Sequence, residues 1–352
     1  MILVTGGTGL AGSHLLLELI KQGESVRALK RNDNSIEKVK KTFSLYVTNT
    51  DELIDKIEWV DGDILDLFSL EDALKDVEQI YHCAGKVSFD KRDSSSLLRV
   101  NQNGTANLVN AALVSGIRKI CHVSSVSALG KTQQGETITE NHFWKTSRQN
   151  SIYAISKYAA EREIWRGSEE GLEVVVINPS IIIGPGDWTS GSTRLFSTIW
   201  NGVPAYTNGI GGYVDVRDVA KCMVQLMNSD ISGQRYIISA ENWSFENIIK
   251  TIAKALNKKP PTLRLYPWMG EVGWMAEHVL RFFGRTPTLT KEIARSAFHQ
   301  YYYDNSKIKK TLNFDFISID KAINDTAKIF LDDLLINRKS VKKKQQKVRK
   351  SE

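Results

Sequence analysis

The sequence predicts an α/β fold: a doubly wound parallel sheet with a smaller, mostly helical C-terminal lobe. Three observations predict it. Short β-rich runs alternate with amphipathic stretches through the first 180 residues, the pattern of a parallel sheet flanked by helices. The first run passes directly into a cluster of glycines that opens a helix. Beyond Pro179 the alternation loosens into longer amphipathic segments.

The strand candidates are Ile2–Thr5, Ser25–Arg31, Ile57–Val60, Gln79–Cys83, Lys119–Ser124 and Glu173–Asn178. Between them, Gly12–Lys21, Leu70–Lys75, Leu98–Ser115 and Tyr153–Arg166 carry apolar residues at helical spacing. Asn34–Lys56 is longer than an ordinary connection and predicts a helix of its own. Further on, Gly212–Val216 and Arg235–Ser239 read as strands and Val219–Met227 as a helix, all assigned to the sheet. This gives a sheet domain over residues 1–179 with 212–239 returning to it, a smaller lobe over 180–211 and 240–337, and a basic, disordered tail over 338–352.

Composition narrows the class. The chain has 352 residues, 41% hydrophobic and 25% charged, the profile of a globular protein with one large core or a core and a lobe. The formal charge is +7, yet the tail from Arg338 onward holds eight Lys/Arg against one acid and so carries all of it. The body is electrically neutral overall, which argues against a nucleic-acid-binding fold. Cys83, Cys121 and Cys222 have no metal-ligand spacing and cannot make a disulfide framework, so no metal and a reduced, cytoplasmic setting are expected. Because Met1–Thr5 already reads as a strand, no signal peptide is expected. No apolar run of about 18 residues is present, so no membrane span is expected.

Thr5-Gly6-Gly7-Thr8-Gly9-Leu10-Ala11-Gly12 joins the first strand to the first helix. Glycines here allow a tight turn that brings backbone N–H groups against a pyrophosphate, with the positive end of the helix dipole facing the anion. This is the turn of a Rossmann-type fold, and it assigns Gly6, Thr8, Gly9, Leu10 and Gly12 to cofactor binding. An NAD-specific site places an acid near the end of the second strand. This chain has Lys30 and Arg31 instead, which favours the extra phosphate of NADP(H), with NAD(H) as the lesser alternative.

With those residues in view, the chain resembles the extended short-chain dehydrogenases/reductases, the NAD-dependent epimerase/dehydratase superfamily. The resemblance covers about residues 1–330 and is nearest to the dihydroflavonol-reductase-like and hydroxysteroid-dehydrogenase-like branch. Gly62–Asp66 resembles the segment that meets the adenine, implying roles for Asp63 and Ile64. His82–Gly85 resembles the turn along the cofactor, implying Ala84 and Gly85. Val100–Asn107 resembles the signature of the next helix. Asn178-Pro179-Ser180 followed by Gly184-Pro185-Gly186 resembles the turn near the nicotinamide, and Asp304–Lys307 with Leu312–Phe314 resembles the usual ending of the lobe.

Carbonyl reduction needs a proton donor at the oxygen and a means of making it acidic. A tyrosine has an ordinary pKa of about 10, which a nearby ammonium lowers. Tyr-x-x-x-Lys puts the two on one helix face. The pattern occurs twice, at Tyr153–Lys157 and Tyr303–Lys307. Only the first opens a helix between two strands of the sheet, so Tyr303 is expected to be structural. The family pattern puts the catalytic hydroxyl on Ser125, five residues before Gly130. Ser125 would hold the substrate oxygen, Tyr153 would exchange the proton, and Lys157 would tune Tyr153 and bond the nicotinamide ribose. Asn101 is expected to hold adjacent backbone, and His14, His82 and His122 are given no role.

The expected activity is therefore an NADP(H)-dependent oxidoreductase that reduces a ketone or aldehyde or oxidises the alcohol. Dehydratases of the superfamily carry an Asp-Glu pair after the catalytic hydroxyl; here Val126 and Ser127 stand there. Epimerases usually place an arginine near Gly211–Asp215, where this chain has none, although Arg194 could substitute; a nucleotide-sugar epimerase is the runner-up. A non-catalytic nucleotide-sensing relative is a third reading, which the intact Ser125, Tyr153 and Lys157 oppose. The partner is a small-molecule carbonyl substrate. Tyr266–Phe283 is aromatic and rich in Met, which would suit an apolar ketone or simply a packed core. That stretch and the basic tail also admit weak peripheral membrane contact. The resemblance implies a homodimer through the helices holding Gly104–Leu113 and Tyr153–Arg166.

Overall fold

The computed structural model describes residues 1–132, 135–147, 150–269 and 297–351, with side chains described as far as Ile336 in the last stretch. Its centre is a seven-stranded sheet in the order β11-β7-β5-β4-β1-β2-β3, all neighbours parallel. In chain order these strands are β1 (Ile2–Thr5), β2 (Val26–Lys30), β3 (Ile57–Asp61), β4 (Gln79–His82), β5 (Lys119–Val123), β7 (Glu173–Pro179) and β11 (Gln234–Ile238).

Strand alternation assigns the two faces. Ile2 and Val4 of β1 enter one core with Leu15, Leu16 and Leu19 of helix α1 (Leu10–Lys21) and Val219, Met223 and Leu226 of α9 (Val216–Met227). Leu3 points the other way, joining Leu70, Leu108 and Ile164 from α4 (Leu67–Ala73), α6 (Gly104–Val114) and α7 (Ile152–Glu169). Burial on both faces is why these strands read as near-continuous apolar runs. The strand order reverses between β1 and β4, and the carboxyl ends of those strands bound the crevice where such sheets bind ligands.

Several expectations are corrected. Asn34–Lys56 holds two helices, α2 (Asn34–Ser44) and α3 (Thr50–Asp55). Helix α4 begins at Leu67 rather than Leu70, because the Asp66 carboxylate accepts from the Phe68 N–H and caps it there. The strand expected over Gly212–Val216 is β10 (Ile210–Asp215), and it does not join the large sheet. It lies between β8 (Ile181–Ile183), to which it is parallel, and β12 (Glu241–Ser244), to which it is antiparallel. The mostly helical lobe thus has a small sheet of its own, over which Phe196, Ile248, Ile252, Ile323 and Phe330 pack. The lobe's downstream segment is also not confined to the lobe: Ile308 and Phe314 belong to the core on the α1 face of the large sheet.

The last helix runs Ile319–Ser351, so the basic segment expected as a disordered tail continues a helix. Lys, Arg and Gln favour helix, and extension from a docked first part avoids the cost of nucleation. The aromatic stretch expected over Tyr266–Phe283 lies outside the described residues from Gly270 onward; Tyr266 and Trp268 are exposed. Among the described residues no helix is long and apolar enough to cross a membrane.

Candidate active site

The glycine turn is held by contacts that leave no room for side chains. Gly6 has φ +69°, and a Cβ on it would lie 2.4 Å from the Ala84 backbone nitrogen. A Cβ on Gly12 would lie 2.2 Å from the Gly6 carbonyl oxygen. Helix α1 starts after Gly9 with no side-chain cap, so its first N–H groups face outward at the crevice beside Thr8 and Leu10. An uncapped helix start pressed against the β1 and β4 turns fits a pyrophosphate. Gly6, Thr8, Gly9, Leu10, Gly12 and Ala84 would hold it.

At the end of β2, Lys30 and Arg31 part company. Lys30 Nζ donates to Asp33 at 2.8 Å and to Asp61 at 2.6 Å, and its side chain is 10% exposed. Its charge is thus matched within the protein by two carboxylates. Arg31 is exposed and has no ion pair among the described residues, so it is the available cation. Asp63 and Ile64 follow β3. The Asp63 carboxylate accepts from the Leu65 N–H, and the Ile64 side chain is buried against Gly104. Asp63 would therefore meet an adenine through its remaining oxygen, and Ile64 only through its backbone.

Ser125 lies just past β5 and begins a short 3-10 turn, its hydroxyl accepting from the Ser127 N–H at 3.1 Å. Tyr153 and Lys157 sit in the first turns of α7, which Ser151 caps by accepting from the Ala154 N–H. Burial raises the Tyr153 phenol above its ordinary value, and the Ser125 hydroxyl beside it works in the other direction. Burial pulls the Lys157 ammonium down to about 8, opposed by the charge of Glu161. Lys157 Nζ donates to the Val123 carbonyl at 2.7 Å. A Cβ on Gly85 would lie 3.6 Å from Lys157 Nζ and 3.4 Å from Asn101 Oδ1, which places the turn after β4 directly beside the lysine.

The Asn101 side chain accepts from the Lys86 N–H at 2.7 Å and donates to the Lys86 carbonyl at 3.0 Å and to Ser156 Oγ at 2.9 Å. It holds that same turn against α7, as expected, and it does so from a π-helical stretch, Arg99–Asn103. Asn178 and Pro179 end β7, and Ser180 follows. Asn178 Nδ2 donates to the Ser125 carbonyl at 3.0 Å, while its Oδ1 is buried without a partner among the described residues. Such an orphan acceptor fits a polar group of a bound cofactor. Tyr303 lies on a short strand paired with Thr137–Ile138, and packs against the cluster of Val126, Leu129, Ile138 and Ile237.

Sequence reasoning missed Glu161. Its carboxylate is buried behind the site and receives Ser124 Oγ at 2.6 Å, Asn178 Nδ2 at 2.9 Å and Trp165 Nε1 at 3.2 Å. An acid four residues after a lysine reads as a solvated helix pair, and its partners Ser124, Asn178 and Arg235 come from other elements of the fold. Among the described residues no group of His, Cys, Asp and Glu is arranged to hold a metal ion.

Residues 2–239 match the model of the NAD dependent epimerase/dehydratase family. The chain is an enzyme of that family. It is 29% identical over 334 residues to a putative dihydroflavonol 4-reductase from Synechocystis, covering 93% of each chain. It is 30% identical over 269 residues to sterol demethylase protein B from Methylococcus capsulatus, covering 75% of this chain and 77% of the relative. Among solved structures, that of gox2253 superposes with a TM-score of 0.77 at 29% identity, covering 94% of this chain and 98% of the other.

Proposed function

We propose that this family member is an NADP(H)-dependent reductase that converts an apolar ketone or aldehyde to the alcohol, or runs the reverse oxidation, through Ser125, Tyr153 and Lys157. The observation that carries this reading is the convergence of three separate segments: Ser125 beside Tyr153, and Lys157 beside Gly85 at the crevice. A nicotinamide held at this crevice would supply the hydride for the carbonyl carbon. Ser125 holds the carbonyl oxygen, and Tyr153 gives that oxygen its proton; in the oxidation Tyr153 takes the proton back. Lys157 stabilises the phenolate that Tyr153 becomes and would bond the ribose of the cofactor.

Further support is chemical. The Phe89 ring stands edge-on to Tyr153 with centroids 5.5 Å apart, and Val87 is exposed nearby, which gives the site an apolar rim. Val126 and Ser127 follow Ser125, so the places after it offer no acid for a dehydration. The relatives named as a dihydroflavonol reductase and a sterol demethylase protein bear names that suit apolar substrates.

The test is NADPH absorbance loss against a panel of ketones and aldehydes, with Tyr153→Phe alongside. That variant removes only the proton donor and is expected to slow turnover by roughly 10²–10⁴-fold with the NADPH dissociation constant unchanged. Turnover retained in Tyr153→Phe would overturn the assignment.

A further inference from the structure

Helix α7 carries a third ionisable side chain in line with Tyr153 and Lys157. Glu161 is one turn beyond Lys157, and its side chain is 3% exposed. A carboxylate so deeply buried is costly unless matched, and this one is matched from four directions. Ser124 Oγ reaches it from the end of β5 at 2.6 Å, and Asn178 Nδ2 from the end of β7 at 2.9 Å. Trp165 Nε1 reaches it from its own helix at 3.2 Å, and the Arg235 guanidinium from β11 at 3.3 Å. Arg235 also donates to the backbone carbonyls of Glu140 and His142, binding the segment ahead of α7 to the same cluster.

We propose that Glu161 is a positioning residue for proton transfer: its charge keeps Lys157 cationic, and its bonds lock the strand ends carrying Ser125 and Asn178 to α7. This rests on the Ser125–Tyr153–Lys157 reading. The other groups facing Lys157 cannot supply the charge. Cys83, at the end of β4, is a thiol that burial holds well above its ordinary value, and Tyr153 is likewise raised. His82 on β4 and His122 on β5 are neutral in burial and would oppose the ammonium if protonated. Arg235 is a cation, paired with Glu161 itself at 3.3 Å. Burial alone pushes Lys157 toward the neutral amine, and Glu161 is the counterweight.

The experiment follows the ¹³Cε resonance of Lys157 through a pH titration in the full chain, assigned with Lys157→Arg, for wild type, Glu161→Gln and Glu161→Asp. Thermal unfolding is recorded for each. Glu161→Gln keeps the shape and one acceptor but loses the charge, and its Lys157 midpoint is expected to fall by roughly half a unit or more. Glu161→Asp, which keeps the charge, should stay closer to wild type. A Lys157 midpoint in a folded Glu161→Gln equal to that of wild type overturns the proposal, whatever the change in melting temperature. If the Gln variant does not fold, the wild-type titration decides: a Lys157 midpoint above neutral pH supports a lysine held cationic, and one below neutral pH overturns the proposal. The titration needs no substrate, so its outcome is separate from that of the carbonyl panel, where failure of the catalytic reading would appear as turnover without Tyr153.

Discussion

Gly6 and Ala84 touch across the sheet's point of reversal: a Cβ on Gly6 would fall 2.4 Å from the Ala84 backbone nitrogen. The turn after β1 and the turn after β4 therefore form one wall of the crevice, and no flexible side chain is available there to give way.

A Gly6→Ala substitution meets this wall and a left-handed backbone at once, since φ is +69°. Strain of that kind costs roughly 1–3 kcal/mol, so the melting temperature should fall by several degrees and NADPH affinity by at least about tenfold. Calorimetry and fluorescence titration measure both. A variant with wild-type stability and affinity would mean that the two turns separate freely.

Cofactor choice should rest on Arg31 alone. A guanidinium bonded to a 2′-phosphate contributes about 1.5–3 kcal/mol per charged hydrogen bond, a preference of roughly 10- to 150-fold for NADP(H). Arg31→Ala is expected to lose most of it while NAD(H) binding stays nearly constant. Lys30→Ala should leave the preference in place, because Asp33 and Asp61 already occupy that ammonium. Equal dissociation constants for the two cofactors in wild type would refute the role of Arg31.

Much of this was readable from local pattern. The strand–glycine–helix passage, the sheet strands and the Tyr153–Lys157 pair are each specified within a few residues. What was not readable depends on partners remote in the chain. Nothing near Lys30 announces that Asp61, on the neighbouring strand, will take its charge. Ile181–Ile183 is too short to declare itself a strand, and its partner β10 arrives only at Ile210. Glu161 is bonded by Ser124, Asn178 and Arg235, which lie 37, 17 and 74 residues away.

Acid should destabilise the protein from pH 6.5 downward. Burial lowers His14 to about 4, His82 to about 3 and His122 well below its ordinary value. With folded values below the unfolded 6.5, these groups take up protons only on unfolding, so stability is full above 6.5 and falls as pH drops through it. Each contributes about 1.4 kcal/mol per pH unit. Asp218, raised to about 6 by burial, binds its proton in the native state below that pH and offsets one of the three. Urea unfolding between pH 7.5 and 5 measures the slope. His122→Leu, which removes a ring with both nitrogens unpaired among the described residues, should flatten it; an unchanged slope would show that His122 is not a source of it.

The core on the α1 face of the sheet includes Ile308 and Phe314. The helix that carries Ile308, Ser306–Leu312, packs on β11 and α9. The edge strand of the sheet is therefore covered by a segment that follows the lobe's own small sheet in the chain. A chain cut short of Ile308 would leave β11 and the neighbouring side of α9 bare, so sheet and lobe are one cooperative unit rather than two separable pieces.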